Sequence, residues 1–235
     1  MRGRGWWGAA GTVAIVVGMS AVPALAADHG EGGRQPESAE TLNQLGLTYR
    51  TQGLVSEAIR AFQRAAALRP TWGGPELNLA DTYRAAERYR DALQVLRDLE
   101  ARPVEIPRHR IYNALALVYL DMDHHKEAER VARQAIALAS QYVPARTSLG
   151  LALFEQRRYP EATQEFEAVV ALETRPDTVF FLCQLYALQR QEDATLACLA
   201  RALAAGIAVE AVRREALFFF IRTRPEYSRL VGTTP

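Results

Sequence analysis

Apolar residues along this chain fall into two helical patterns that alternate and recur in one phase. The first pairs an apolar residue with a small one and sets a bulky residue three positions later. It reads Leu45-Gly46 with Tyr49, Leu79-Ala80 with Tyr83, Leu115-Ala116 with Tyr119, Leu149-Gly150 with Leu153, and Leu182-Cys183 with Tyr186. The small residues stand at 46, 80, 116, 150 and 183, so the spacings are 34, 36, 34 and 33. The second pattern begins twelve residues further on, at Ala58, Ala92, Ala128, Ala162 and Thr195. Four residues later come Phe62, Leu96, Ala132, Phe166 and Leu199, and three beyond those Ala65, Leu99, Ala135, Val169 and Ala202. Steps of three and four place each set on one face of a helix. Short polar breaks separate the two patterns, among them Gln52-Gly53, Ala86-Glu87-Arg88 and Arg157-Arg158. Each unit is therefore predicted to be two antiparallel helices joined by a tight turn.

Prolines punctuate the same frame. Pro70, Pro144 and Pro176 fall at unit junctions, where one helix must stop and the next start. Pro160 falls in the first turn of a second helix, where its missing N–H is not needed. Pro103 and Pro107 flank two extra residues between units two and three, which predicts a wider loop there.

Five phased units of this length resemble the tetratricopeptide repeat family, over roughly residues 39–209. Unit one carries the fullest match, with Leu42, Leu45, Gly46, Tyr49, Ala58, Phe62, Ala65 and Pro70 on the family pattern. The resemblance implies an all-α, right-handed superhelical solenoid of about five helix hairpins with a C-terminal capping helix. The array should occupy residues 39–206, with units starting near 39, 73, 109, 143 and 176. The small residue of the first helix lets the second approach closely, and stacking buries faces that single short helices could not stabilise in water.

Outside the array the chain changes character. It opens with Arg2 and Arg4, then an apolar stretch from Trp6 to Val22, then Pro23 and Ala24-Leu25-Ala26. Residues 1–26 read as an export signal cut after Ala26 or one residue later; an uncleaved membrane anchor is the rival reading. Export would place the mature chain in the periplasm or outside the cell, without stable membrane insertion. Residues 27–38 form a polar, Gly-rich lead-in. Residues 207–235 follow the array, and the run Leu217-Phe218-Phe219-Phe220-Ile221 is too apolar for a solvated surface. It reads as the cap over the last hydrophobic face, with an exposed docking patch as the alternative.

Charge and chemistry narrow the function classes. The chain has 28 basic and 27 acidic residues, so nothing argues for nucleic acid. Removal of residues 1–26 takes away Arg2 and Arg4 and leaves 26 basic residues against 27 acidic. His124 and His125 follow Asp121 and Asp123, but on a predicted turn, where a polar loop explains them. No zinc-protease, nucleophile-elbow or phosphate-loop motif is found, so no catalytic residue, metal or cofactor is assigned. Cys183 and Cys198 lie on the two helices of unit five. Two readings stay open for them: a disulfide staple, or two small buried thiols.

The family resemblance also implies a binding face on the first helix of each unit, turned to the concave side. In this sequence it would use Asn43 and Arg50, then Asp81 and Arg84, then Arg110, Asn113, Leu117 and Leu120. It would continue through Leu151 and Phe154 to Phe180 and Gln184. The expected partner is a protein or peptide, and the expected role a non-catalytic scaffold. The alternative is an accessory or regulatory subunit of a cell-envelope enzyme or assembly complex.

Overall fold

The computed structural model describes residues 38–232. The expected export segment, residues 27–37 of the lead-in and the last three residues lie outside the described residues. Ten helices form five hairpins. They are α1 (Ala39–Thr51) with α2 (Val55–Leu68), α3 (Gly74–Ala85) with α4 (Tyr89–Ala101), α5 (Arg108–Asp121) with α6 (His125–Leu138), α7 (Val143–Glu155) with α8 (Tyr159–Leu172), and α9 (Pro176–Leu188) with α10 (Glu192–Ala204). Each second helix also packs on the first helix of the next hairpin, and α1, α3, α5 and α7 lie side by side. The result is an all-helical solenoid, with no strand among the described residues.

Local chemistry sets the helix ends. Ser38 caps α1, its Oγ accepting from the Thr41 N–H at 3.1 Å. Pro75, Pro144, Pro160 and Pro176 open α3, α7, α8 and α9 from first-turn positions. The turn inside each hairpin is the same every time. One residue takes left-handed backbone, with φ of 75° at Gly53, 58° at Glu87, 59° at Asp123, 61° at Arg157 and 57° at Arg190. Its N–H bonds back to the first helix, for instance from Glu87 to the Arg84 carbonyl at 3.0 Å. The next N–H reaches one turn deeper, from Arg88 to the Tyr83 carbonyl at 2.8 Å. These paired bonds satisfy the orphan carbonyls of the helix end and fix the direction in which the second helix leaves.

The small residues sit at the helix crossings. A Cβ added at Gly46 would stand 2.5 Å from Phe62 Cε1, and one at Gly150 2.6 Å from Phe166 Cε2. Both rings are buried. The pairing is size-matched along the chain: glycine stands in register with Phe62 and Phe166, while Ala80 stands in register with Leu96 and Ala116 with Ala132. One member of each pair grows as the other shrinks, except in unit three, where both are small.

The loop between α4 and α5 is wide, as its two extra residues require, and it is packed. Ile106 is buried and would meet a Cβ at Gly73 at 2.9 Å. The Glu105 N–H donates to the Thr71 carbonyl at 2.8 Å, and Arg69 pairs with Glu105 at 2.7 Å.

Beyond α10 come α11 (Val209–Arg214), a 3₁₀ helix over Ala216–Ile221 and α12 (Pro225–Val231). The 3₁₀ helix packs on α9, and α12 packs on α10. Phe218, Ile221 and Val212 are fully buried, so this segment covers the end of the core. The apolar run divides: Phe218 and Ile221 point inward, whereas Phe219 is 73% exposed.

Candidate functional site

The turns set each first helix against its second helix in the same way, and α1, α3, α5 and α7 lie side by side, so their side chains turned away from the second helices share a face. The structure places the predicted residues on this face unequally. The polar ones are largely engaged with each other across repeats. Asn43 Oδ1 accepts from Asn78 Nδ2 at 2.9 Å. Arg50 Nη1 donates to Asp81 Oδ2 at 2.7 Å, Arg84 Nη2 to Asp81 Oδ1 at 2.9 Å, and Arg84 Nη1 to Asp121 Oδ2 at 2.7 Å. A ladder of alternating charge thus runs over units one to three. Burial works against the Arg84 charge, but Asp81 and Asp121 outweigh it and raise the guanidinium above its ordinary value. Each pair is part-exposed, so each adds only about 0.2–1 kcal/mol. The effect on geometry is larger, because the ladder fixes the relative position of three helices.

Asn113 and Gln184 are buried at 7% and 3% exposure. Ser148 Oγ donates to Asn113 Oδ1 at 2.9 Å, and Gln184 Nε2 donates to Glu215 Oε2 at 2.7 Å. Phe180 packs edge-on against Phe218 of the 3₁₀ helix, with centroids 5.8 Å apart. The C-terminal segment therefore occupies the unit-five end of the face. Arg110 is exposed at the start of α5.

Four apolar side chains in the middle of the face have no such cover. Leu117, Leu120, Leu151 and Phe154 are each half-buried, and the last three rest on the core. Phe154 leans on Tyr159 at 5.8 Å and on Phe181 at 5.2 Å, which holds its ring in place. Beside them a shallow pocket of about 20 Å³ lies between units two and three, lined by Ala80, Asp81, Arg84, Leu96, Ala114, Leu117 and Val118. That is room for about one water and is far below the size of a small-molecule site. The face suits an extended surface contact.

Two features outside this face bear on chemistry. Glu129 on α6 is buried and receives Arg158 Nη1 at 2.7 Å and Gln156 Nε2 at 2.7 Å, with Arg133 also paired to it. Burial would raise its carboxyl, but the Gln156 and Arg158 hydrogen bonds and the Arg133 charge win and hold it below the ordinary carboxylate range. The group joins units three and four. The neighbouring His124 and His125 sit at the start of α6, and among the described residues no group of His, Cys, Asp or Glu is placed to hold a metal ion.

Cys183 and Cys198 are joined, with Cα atoms 5.3 Å apart, and both are buried. Of the two readings left open by the sequence, the staple holds. Cys183 fills the small-residue position of its hairpin, so the bridge crosses the contact that glycine or alanine makes elsewhere.

The partners of Asn43 and Asn113, and the Asp121 partner of Arg84, carried no local signal. Asn78, Ser148 and Asp121 lie more than thirty residues away from them, and only the stacking of repeats brings them near.

Two models of the tetratricopeptide repeat match the chain, one over residues 39–72 and one over residues 113–177. Among solved structures, the thermophilic TPR protein TTC0263 of Thermus thermophilus superposes with a TM-score of 0.60 at 22% identity, over 75% of this chain and 95% of its own. PilF of Pseudomonas aeruginosa gives 0.67 at 17% identity, over 82% and 88%. YrrB, a TPR protein with an unusual peptide-binding site, gives 0.54 at 18% identity, over 72% and 87%. At these identities the likeness concerns the fold. None of the curated proteins matches the chain.

Proposed function

Because the chain carries tetratricopeptide repeats, whose arrays generally serve as protein–protein interaction scaffolds, we propose that it is a non-catalytic scaffold that holds a protein or peptide along its first-helix face. The observation that carries this reading is the half-buried group Leu117, Leu120, Leu151 and Phe154. It is apolar and pre-positioned, and it is bordered by polar groups that already have partners. An extended segment or amphipathic helix with apolar anchors would bury this group without breaking the charge ladder. The cap over Phe180 and Gln184 limits such a partner to units one to four. YrrB, with its own peptide-binding site, supports this use of the fold.

The reading includes export. A disulfide is typical of an oxidising compartment, and the apolar start ending in Ala24-Leu25-Ala26 fits the same route. A mature protein beginning at Ala27 or Asp28 in the envelope fraction would support this part.

The binding test is crosslinking in the native envelope followed by mass spectrometry. Leu151→Asp should abolish partner capture while leaving far-UV circular dichroism intact. Gln134→Ala, on the outer side of α6, should capture normally. Unchanged capture by Leu151→Asp would remove the face from consideration.

A further inference from the structure

The C-terminal segment does more than close the core. Its sequence from 213 to 224, RREALFFFIRTR, holds four arginines and one carboxylate. Phe218 and Ile221 are fully buried, so they anchor the 3₁₀ helix. Phe219, on the opposite side, is 73% exposed and projects from the surface. Leu217 and Phe220 flank it, partly buried against the core.

Not all the arginines at this end of the molecule are neutralised. Among the described residues, Arg190, Arg214 and Arg222 form no ion pair, while nearby Arg213 and Arg224 do. The one carboxylate in the stretch, Glu215, accepts from the neutral Gln184 Nε2 at 2.7 Å and Leu217 N–H at 3.1 Å and keeps its charge, so three unpaired arginines stand against one carboxylate. Arg222 is held in place by donating to the Arg213 carbonyl at 2.6 Å, and its guanidinium lies 5.7 Å from the Phe219 ring. Arg190 lies 4.9 Å over the Phe220 ring. The arrangement is one protruding aromatic ring with a partial collar of arginines that lack a carboxylate partner: Arg222 beside it, Arg190 over the neighbouring Phe220 ring, and Arg214 earlier in the same segment.

We propose that this knob is a peripheral membrane contact, in which Phe219 enters the boundary between headgroups and acyl chains of an anionic phospholipid surface while Arg190, Arg214 and Arg222 meet the lipid phosphates. The charge of the collar selects an anionic partner. The shape selects a fluid one. A single projecting ring offers far less than the roughly 800 Å² per partner of a stable protein interface. A lipid surface needs no complementary pocket and takes an apolar wedge with basic neighbours readily. This proposal stands apart from the binding face on the first helices, since Phe219 lies on the cap.

The test places the probe at the site, so that any contact made by residues 1–26 does not enter the signal. Full-length Phe219→Trp protein is titrated with phosphatidylcholine vesicles and with vesicles that also contain phosphatidylglycerol. The tryptophan emission, after subtraction of the parent protein, should shift to the blue and be quenched by brominated acyl chains only with the anionic vesicles. Arg190→Gln with Arg214→Gln should weaken this response at least about tenfold. These positions are exposed, so the fold survives the changes. An unshifted emission, or an equal response to neutral vesicles, would overturn the proposal. So would a concentration-dependent oligomer that Phe219→Ser dissolves while vesicles have no effect, which would make the knob a contact between protein molecules.

Discussion

Gly150 offers the sharpest test of how the hairpins hold together. A methyl group there would lie 2.6 Å from Phe166 Cε2, 2.8 Å from Cδ2 and 3.4 Å from Cζ. Carbon atoms rest comfortably at about 3.5–4.0 Å, so the ring would have to retreat by roughly an ångström. It has little room. Phe181 stands edge-on to Phe166 with centroids 4.7 Å apart, and Phe154 stands behind Phe181 at 5.2 Å. Overpacking of this kind costs about 1–3 kcal/mol. Alanine's greater helix preference returns about 1 kcal/mol of that. Gly150→Ala should therefore lose up to about 2 kcal/mol, read as a lower urea midpoint by far-UV circular dichroism. The decisive measurement adds Phe166→Leu. The double variant reproduces the Ala80 and Leu96 pair that unit two already uses. The two changes should be coupled by about 1–2 kcal/mol, within the range for touching residues. Two effects that simply add would refute the size-matching argument.

Three further outcomes follow from other parts of the molecule. Gly53→Ala should cost about 1 kcal/mol through left-handed backbone alone, since nothing stands within 4 Å of the new Cβ, whereas Arg157→Ala at the equivalent turn should be near neutral by urea titration. Glu129 has its folded pKa held below the ordinary carboxylate value, so its contribution is complete above that value and is lost as the pH falls toward the folded one. Glu129→Gln should accordingly flatten the acid limb of a stability-versus-pH curve, and an unchanged limb would exclude this group as its source. Replacing both cysteines by alanine should lower stability by about 3 kcal/mol, the entropy term for closing a loop of this length, and reductant should then have no further effect on the melting curve.

Much of the architecture was legible because its determinants are periodic and local. Five small residues, each answered twelve and sixteen residues later, specify a hairpin without reference to distant sequence. The wide loop announced itself through Pro103, Pro107 and two extra residues. The turns were legible in place but not in conformation. Only Gly53 among the five left-handed positions is glycine, and Glu87, Asp123, Arg157 and Arg190 give no chemical hint of their backbone. The face was legible as a side of a helix but not as a surface. Asn113 and Gln184 read as binding-face residues, yet Ser148 and Glu215 engage them within the chain. Residues separated by one repeat meet through stacking geometry, and no local pattern encodes that meeting. Phe219 shows the same limit from the other direction, since a run of five apolar residues does not reveal which one a 3₁₀ helix turns outward.

The covalent bond in the fifth hairpin has a mechanical meaning. It connects two helices of one repeat and none to its neighbours, so it leaves the nearest-neighbour seams of the array as breakable as before. Stretched between its ends, the oxidised chain would still part hairpin by hairpin, but the segment between Cys183 and Cys198 would yield no slack. Its fully extended length would therefore be shorter than that of the reduced chain by that one withheld loop.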